Sequence, residues 1–126
     1  MKIAVTAAGP DLESRVDPRF GRARYILIVD TETGELLEAL DNETNRNAPG
    51  GAGVQAVQAV ADQGVSWVIT GNVGPKAFQA LQAAGIQAAV GASGTAAQAV
   101  EAFKAGELPR AAEAGAEGRP PERGES

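Results

Sequence analysis

The second half of the chain alternates between short apolar runs and helical repeats that each stop at a glycine. No other feature constrains the fold as tightly. Val54, Val57, Val60 and Ala61 recur at helical spacing until Gly64. Residues 65–70 then read as a strand. Pro75 suits a first helical position, and Ala77, Phe78, Leu81 and Ala84 form one apolar face before Gly85. Residues 86–90 return as a strand. Thr95 and Gln98 match a capping box, with Ala96, Ala99, Val100 and Phe103 behind it and Gly106 as the stop. Strand–helix units in this order predict parallel strands with helices on the sheet faces.

The first half supplies the remaining strands. Ile3-Ala4-Val5 reads as a short buried strand, and Tyr25-Ile26-Leu27-Ile28-Val29 is the strongest strand signal in the chain. Thr31-Glu32-Thr33-Gly34 carries turn chemistry, so Leu36-Leu37-Glu38-Ala39-Leu40 closes a β-hairpin. Polar, glycine-containing loops are expected over residues 9–24 and 41–53. The expected class is α/β: three layers, with a mixed five-stranded sheet flanked by three helices. The helix faces carrying Phe78, Leu81 and Phe103 are expected to dominate burial. Of 55 apolar residues 26 are alanine, so helices can approach the sheet closely. The domain is expected to span residues 1–108. Beyond Leu108 no large apolar residue occurs, and residues 109–126 read as a polar, disordered tail. An isolated helical turn near residues 111–116 is the alternative.

Chemistry is narrowed by what is missing. The chain has no cysteine and no histidine, which excludes thiolate nucleophiles, cysteine-ligated clusters and imidazole acid–base catalysis. A metal ion would need carboxylate, carbonyl or hydroxyl oxygens, and no metal ligands and no catalytic residues are assigned. The formal charge of −5 argues against general nucleic-acid affinity. No run approaches the length of a membrane span, the first residues do not form a signal peptide, and a cytoplasmic location is the default expectation.

Four segments stand out as candidate sites. Gly71-Asn72-Val73-Gly74-Pro75-Lys76 leaves a strand and opens a helix, where glycine and free amides suit an anion. Its spacing is not that of a Walker A loop, and a tight strand–helix turn explains it equally well. Gly91-Ala92-Ser93-Gly94-Thr95 sits in the same position after the next strand, at the carboxyl edge where open α/β sheets bind ligands. Helix capping is its structural explanation. Residues 10–24 carry Arg15, Arg19, Arg22 and Arg24 against Asp11, Glu13 and Asp17, a local charge of +1 against −6 elsewhere. Arginine donors suit carboxylates and phosphates. Equally, Asp17 could pair with an arginine while Phe20 plugs the core. Gly51-Ala52-Gly53-Val54-Gln55-Ala56 matches G-x-G-x-x-A, but no strand precedes it and no acidic residue follows at the required distance. Close helix packing explains it better than dinucleotide binding. The sequon Asn42-Glu43-Thr44 is set aside.

Taken in order, residues 14–23, Gly50-Gly51-Ala52-Gly53, residues 71–78 and residues 91–95 resemble the dinitrogenase iron–molybdenum cofactor biosynthesis family. The similarity covers residues 1–108. It implies a ribonuclease H-like topology and a nitrogen-fixation-related role in binding or carrying an iron–molybdenum cofactor or an iron–sulfur precursor. It also implies partners among metal-cluster assembly proteins. Ribonuclease chemistry does not follow, because Ile3-Ala4-Val5-Thr6 lacks the carboxylates that hold its metal ions.

The leading expectation is a non-catalytic carrier that holds an anionic ligand or cluster precursor by charge and hydrogen bonds. Its ligand-binding candidates are Arg15, Asp17, Arg19, Arg22, Gly51, Gly53, Gly71, Asn72, Gly74, Ser93, Gly94 and Thr95. The alternative is a protein-interaction module docking an acidic partner through the arginine loop. A third reading, phosphate or nucleotide chemistry, has only Asp17 and Thr6 to work with.

Overall fold

The computed structural model describes residues 1–47 and 51–111. Its strands are β1 (Lys2–Ala7), β2 (Tyr25–Asp30), β3 (Leu36–Asp41), β4 (Trp67–Ile69) and β5 (Gln87–Ala89). Its helices are α1 (Glu43–Arg46), α2 (Ala52–Asp62), α3 (Pro75–Ala83) and α4 (Ala96–Lys104). The strands form one sheet in the order β3-β2-β1-β4-β5. β1 runs parallel to β4, and β4 to β5, while β2 is antiparallel to both neighbours. The mixed five-stranded sheet expected from the sequence is therefore present.

Side chains alternate across the central strands as strand geometry requires. Ala4, Ile26, Ile28, Val68 and Ala88 face a core built with α2 and α3. Ile3, Val5, Leu27, Val29, Ile69 and Ala89 face a second core built with α4. Two helices thus cover one face and one helix the other. β1 and β2 are buried on both faces, which explains the unbroken apolar run of β2.

Three expectations change. The largest fully buried side chains are mostly on strands, led by Ile3, Ile26, Leu27 and Ile28, with Leu81 among them. Phe78 is buried, whereas Phe103 is only partly covered, because α4 lies alone on its face and its ring rests against Trp67. The segment after β3 is not wholly loop, since α1 forms there. Finally, the chain stays ordered past Leu108. Val90 N–H donates to the Pro109 carbonyl and Ala111 N–H to the Ala88 carbonyl, both at 2.9 Å. Ala111 is buried in the α2/α3 core. Residues 109–111 therefore line the outer edge of β5, held by backbone pairing that needs no large side chain. The expected tail from residue 112 onward, and most of the alternative helical turn, lie outside the described residues.

Candidate functional site

Three loops leave the carboxyl ends of β1, β4 and β5 at one edge of the sheet, and backbone hydrogen bonds stitch them together. Val16 N–H donates to Gly94 O (2.8 Å), Asn72 N–H to Pro18 O (2.8 Å) and Gly91 N–H to Gly71 O (2.9 Å). Beneath them the buried Thr6 hydroxyl donates to the Asp17 carbonyl at 2.7 Å and shares a hydrogen bond with the Thr70 hydroxyl at 2.8 Å. The Asp17 carboxylate accepts from the Arg19 backbone N–H at 3.0 Å and from its guanidinium at 3.3 Å. Phe20 is buried in the α2/α3 core. Asp17 and Phe20 are thus committed to shaping the loop. Thr6, fully buried and bonded, faces no solvent.

The candidate residues do not form one cluster. Arg15 pairs across an isolated bridge with Thr95, at the start of α4. That helix end is closed. Ala96 N–H donates to Ser14 O (2.8 Å), Ala97 N–H to Leu12 O (3.0 Å) and Gln98 N–H to the Thr95 hydroxyl (3.1 Å). The Gln98 side chain accepts from Thr95 N–H at 2.9 Å, completing the capping box. With its first amides satisfied, this terminus has little left to offer a ligand. Ser93, Gly94 and Thr95 fit the capping explanation. Arg19, Gly71 and Asn72 lie between the two faces, where a parallel bridge joins Arg19 to Asn72. A Cβ on Gly71 would fall 2.6 Å from Pro18 Cα, so glycine there serves loop packing.

On the other face Arg22, Gly51, Gly53 and Gly74 come together. With Phe20, Ala52, Val54, Pro75, Lys76 and Ala77 they line a cleft of about 360 Å³. The N-caps of α2 and α3 are Gly51 and Gly74, and neither helix has a side-chain cap. Among the described residues, the amides of Ala52, Gly53, Val54, Lys76 and Ala77 have no hydrogen-bond partner. Two helix termini therefore present free donors and positive dipole ends to one space. Gly53 allows this approach, since a Cβ there would lie 2.9 Å from Ala77 Cβ. Gly74 differs from it: its φ of −73° is ordinary and a Cβ would meet nothing within 4 Å. Its backbone is open toward the cleft side of the loop.

Arg22 is held from behind. Its guanidinium donates to the Arg46 carbonyl at 2.6 Å, and Arg46 Nε returns a hydrogen bond to the Arg22 carbonyl at 3.1 Å. The Asn42 amide, almost fully buried, donates to the Gly21 and Ala23 carbonyls at 3.1 and 2.8 Å. That engagement also makes the sequon unusable in the folded chain. Arg24 pairs with Asp41 and, at 3.1 Å, with Glu43, and lies over the Tyr25 ring. The Glu43 backbone N–H, helped by Arg24 and opposed by desolvation, holds the Asp41 carboxyl below the usual 3.8. Lys76, Phe20, Val54, Asn42 and Arg46 were absent from the sequence candidates. Lys76 was visible inside its motif; Asn42 carried no signal beyond its place after β3.

Among the described residues no three carboxylates gather as a metal site would require, and no helix is long and apolar enough to cross a membrane.

Sheet and cleft together define a small three-layer α/β domain with a cationic, amide-lined cavity at the carboxyl edge of its strands. The chain belongs to the dinitrogenase iron–molybdenum cofactor family, whose model matches residues 1–106. The apo form of the orange protein from Desulfovibrio gigas is 49 % identical, with a TM-score of 0.85 over 89 % of this chain and 93 % of that one. A Thermotoga protein described as a candidate NifB is 39 % identical, with a TM-score of 0.75 over 86 % of this chain and 91 % of its own. An uncharacterised protein of Methanocaldococcus jannaschii is 38 % identical over 88 residues, 68 % of this chain and 70 % of that one.

Proposed function

We propose that this protein is a non-catalytic carrier that holds an anionic ligand, a metal-cluster precursor, in the cleft between the N-termini of α2 and α3. The observation that carries the reading is the convergence there of two uncapped helix ends with Arg22 and Lys76. Free amides and helix dipoles favour an anion, and hydrogen bonds with charge replace the cysteine and histidine ligands the chain lacks. Membership of a cofactor family supports a cluster as the cargo, and cluster-assembly proteins as partners that deliver or receive it. The relative from Desulfovibrio gigas is described in its apo form, which presupposes a loaded one. The strand order, with β2 alone antiparallel, supports a ribonuclease H-like reading of the topology. Thr6 is buried and Asp17 is paired with Arg19, which supports a binding role over turnover.

The test is anaerobic mixing with iron(II), molybdate and sulfide, then desalting. Iron, molybdenum and visible absorbance should co-elute with the protein, and Arg22→Ala or Lys76→Ala should reduce them. No co-elution with the native chain, or equal loading of both variants, rejects the reading.

A second reading, docking of an acidic partner, draws on Arg15, which is exposed and outside the cleft, and whose guanidinium makes no hydrogen bond or ion pair among the described residues. A pull-down that depends on Arg15 and not on Arg22 favours it.

A further inference from the structure

Arg22 is the cleft arginine, and its backbone and side chain are both tied to one short segment elsewhere in the sequence. Asn42 grips the carbonyls on either side of it, at Gly21 and Ala23. Arg46 exchanges hydrogen bonds with it in both directions. The segment is itself anchored: Asn42 N–H donates to the Arg24 carbonyl at 2.9 Å, and Glu43 pairs with Arg24 and, at 3.5 Å, with Arg46. An arginine has a long side chain with many rotamers, and fixing it before a ligand arrives removes an ordering cost from binding.

We propose that Asn42 and Arg46 are positioning residues, a clamp behind the cleft that presets the Arg22 guanidinium for an anion neither of them touches. The buried amide and the Arg46 side chain fix the backbone of residues 21–23, and the backbone carbonyl of Arg46 holds the Arg22 guanidinium. This rests on the carrier reading for its functional consequence, but the clamp itself is testable without a ligand. Around metal centres, outer partners that orient a ligand commonly change affinity by about 10–100-fold when removed, and a loss of similar order is expected for this arginine.

The variants are Arg46→Ala and Asn42→Ala. Arg46 sits on a short surface helix, so its variant keeps the test alive should the buried Asn42 variant fail to fold. Arg46→Ala keeps the residue-46 carbonyl but removes the hydrogen bond and the Glu43 ion pair that moor it, so in the free protein ¹⁵N spectra should show the Arg22 guanidinium N–H groups exchanging faster with solvent, with the β-sheet amides unmoved. An unchanged Arg22 signal overturns the clamp whatever the ligand. Uptake from the iron(II), molybdate and sulfide mixture should then fall, and a double-mutant cycle should show coupling: Arg46→Ala should cost nothing further once Arg22→Ala is present. Additive losses overturn the claim that Arg46 acts through Arg22, and undiminished uptake by a protein with a freed Arg22 overturns the functional consequence. If the native chain takes up nothing while Arg22 is freed in the variant, the carrier reading fails and the clamp stands.

Discussion

Gly53 and Ala77 touch across the α2–α3 contact so closely that a methyl group on Gly53 would sit 2.9 Å from the Ala77 Cβ. Both residues also line the cleft. Gly53→Ala should therefore push the two helix ends apart and destabilise the fold by about 1–3 kcal/mol, as overpacking does. Thermal unfolding measures it, and Gly53→Ala with Ala77→Gly should recover part of the loss. Full stability in the single variant would show that the helices have slack.

Gly74→Ala is the complementary case. With open space and an ordinary φ at this position, stability should stay within about 0.5 kcal/mol of the native chain. Cluster uptake should fall, because the added methyl stands at the uncapped end of α3. Unaltered uptake would move the ligand away from that terminus.

Phe78 and Phe103 should separate in their cost. Phe78→Ala empties a buried site and should cost about 3–5 kcal/mol. Phe103→Ala should cost clearly less, since its ring is only partly covered. The Phe103 ring lies 5.1 Å from that of Trp67, the single tryptophan, so its loss should also shift the intrinsic fluorescence, which Phe78→Ala should leave nearer the native spectrum until unfolding.

Asp41 gives a pH dependence with a defined sign. Its carboxyl is held below the usual 3.8, first by the Glu43 backbone N–H and then by Arg24. A depressed folded value means the contribution is complete above the ordinary value and is lost as pH falls through the folded one. The group is exposed, so the effect on stability should be small and weakened by salt. A carboxyl ¹³C titration should place its midpoint below 3.8, and Arg24→Ala should move it upward.

The edge of β5 offers a truncation test. Ending the chain after Leu108 removes two backbone hydrogen bonds and the buried Ala111 methyl. It should cost about 1–3 kcal/mol more than ending the chain after Ala111.

The sheet and its three long helices were readable because periodicity, glycine stops and the hairpin turn all agreed locally. What escaped depended on distant partners. Helix α1 is four residues long and owes its place to Asn42 and Arg24. Residues 109–111 join β5 through backbone groups, which leave no mark in side-chain pattern. The candidate site was legible as an edge of the sheet but not as a cleft. Glycine looks the same in sequence whether it packs, as at Gly71, or opens, as at Gly74. Thr95 announced a cap, yet only the carbonyls of Leu12 and Ser14, which reach Ala97 and Ala96, show that the α4 end is filled.

Those last two hydrogen bonds join parts of the chain that are far apart in sequence. The loop that delivers Arg22 is moored at Leu12 and Ser14 to a helix that begins at Ala96. During synthesis the ribosome must release most of the chain before that mooring exists. The full set of contacts that hold this loop is then a late property of the molecule, completed only once residues 96 and 97 have joined the fold.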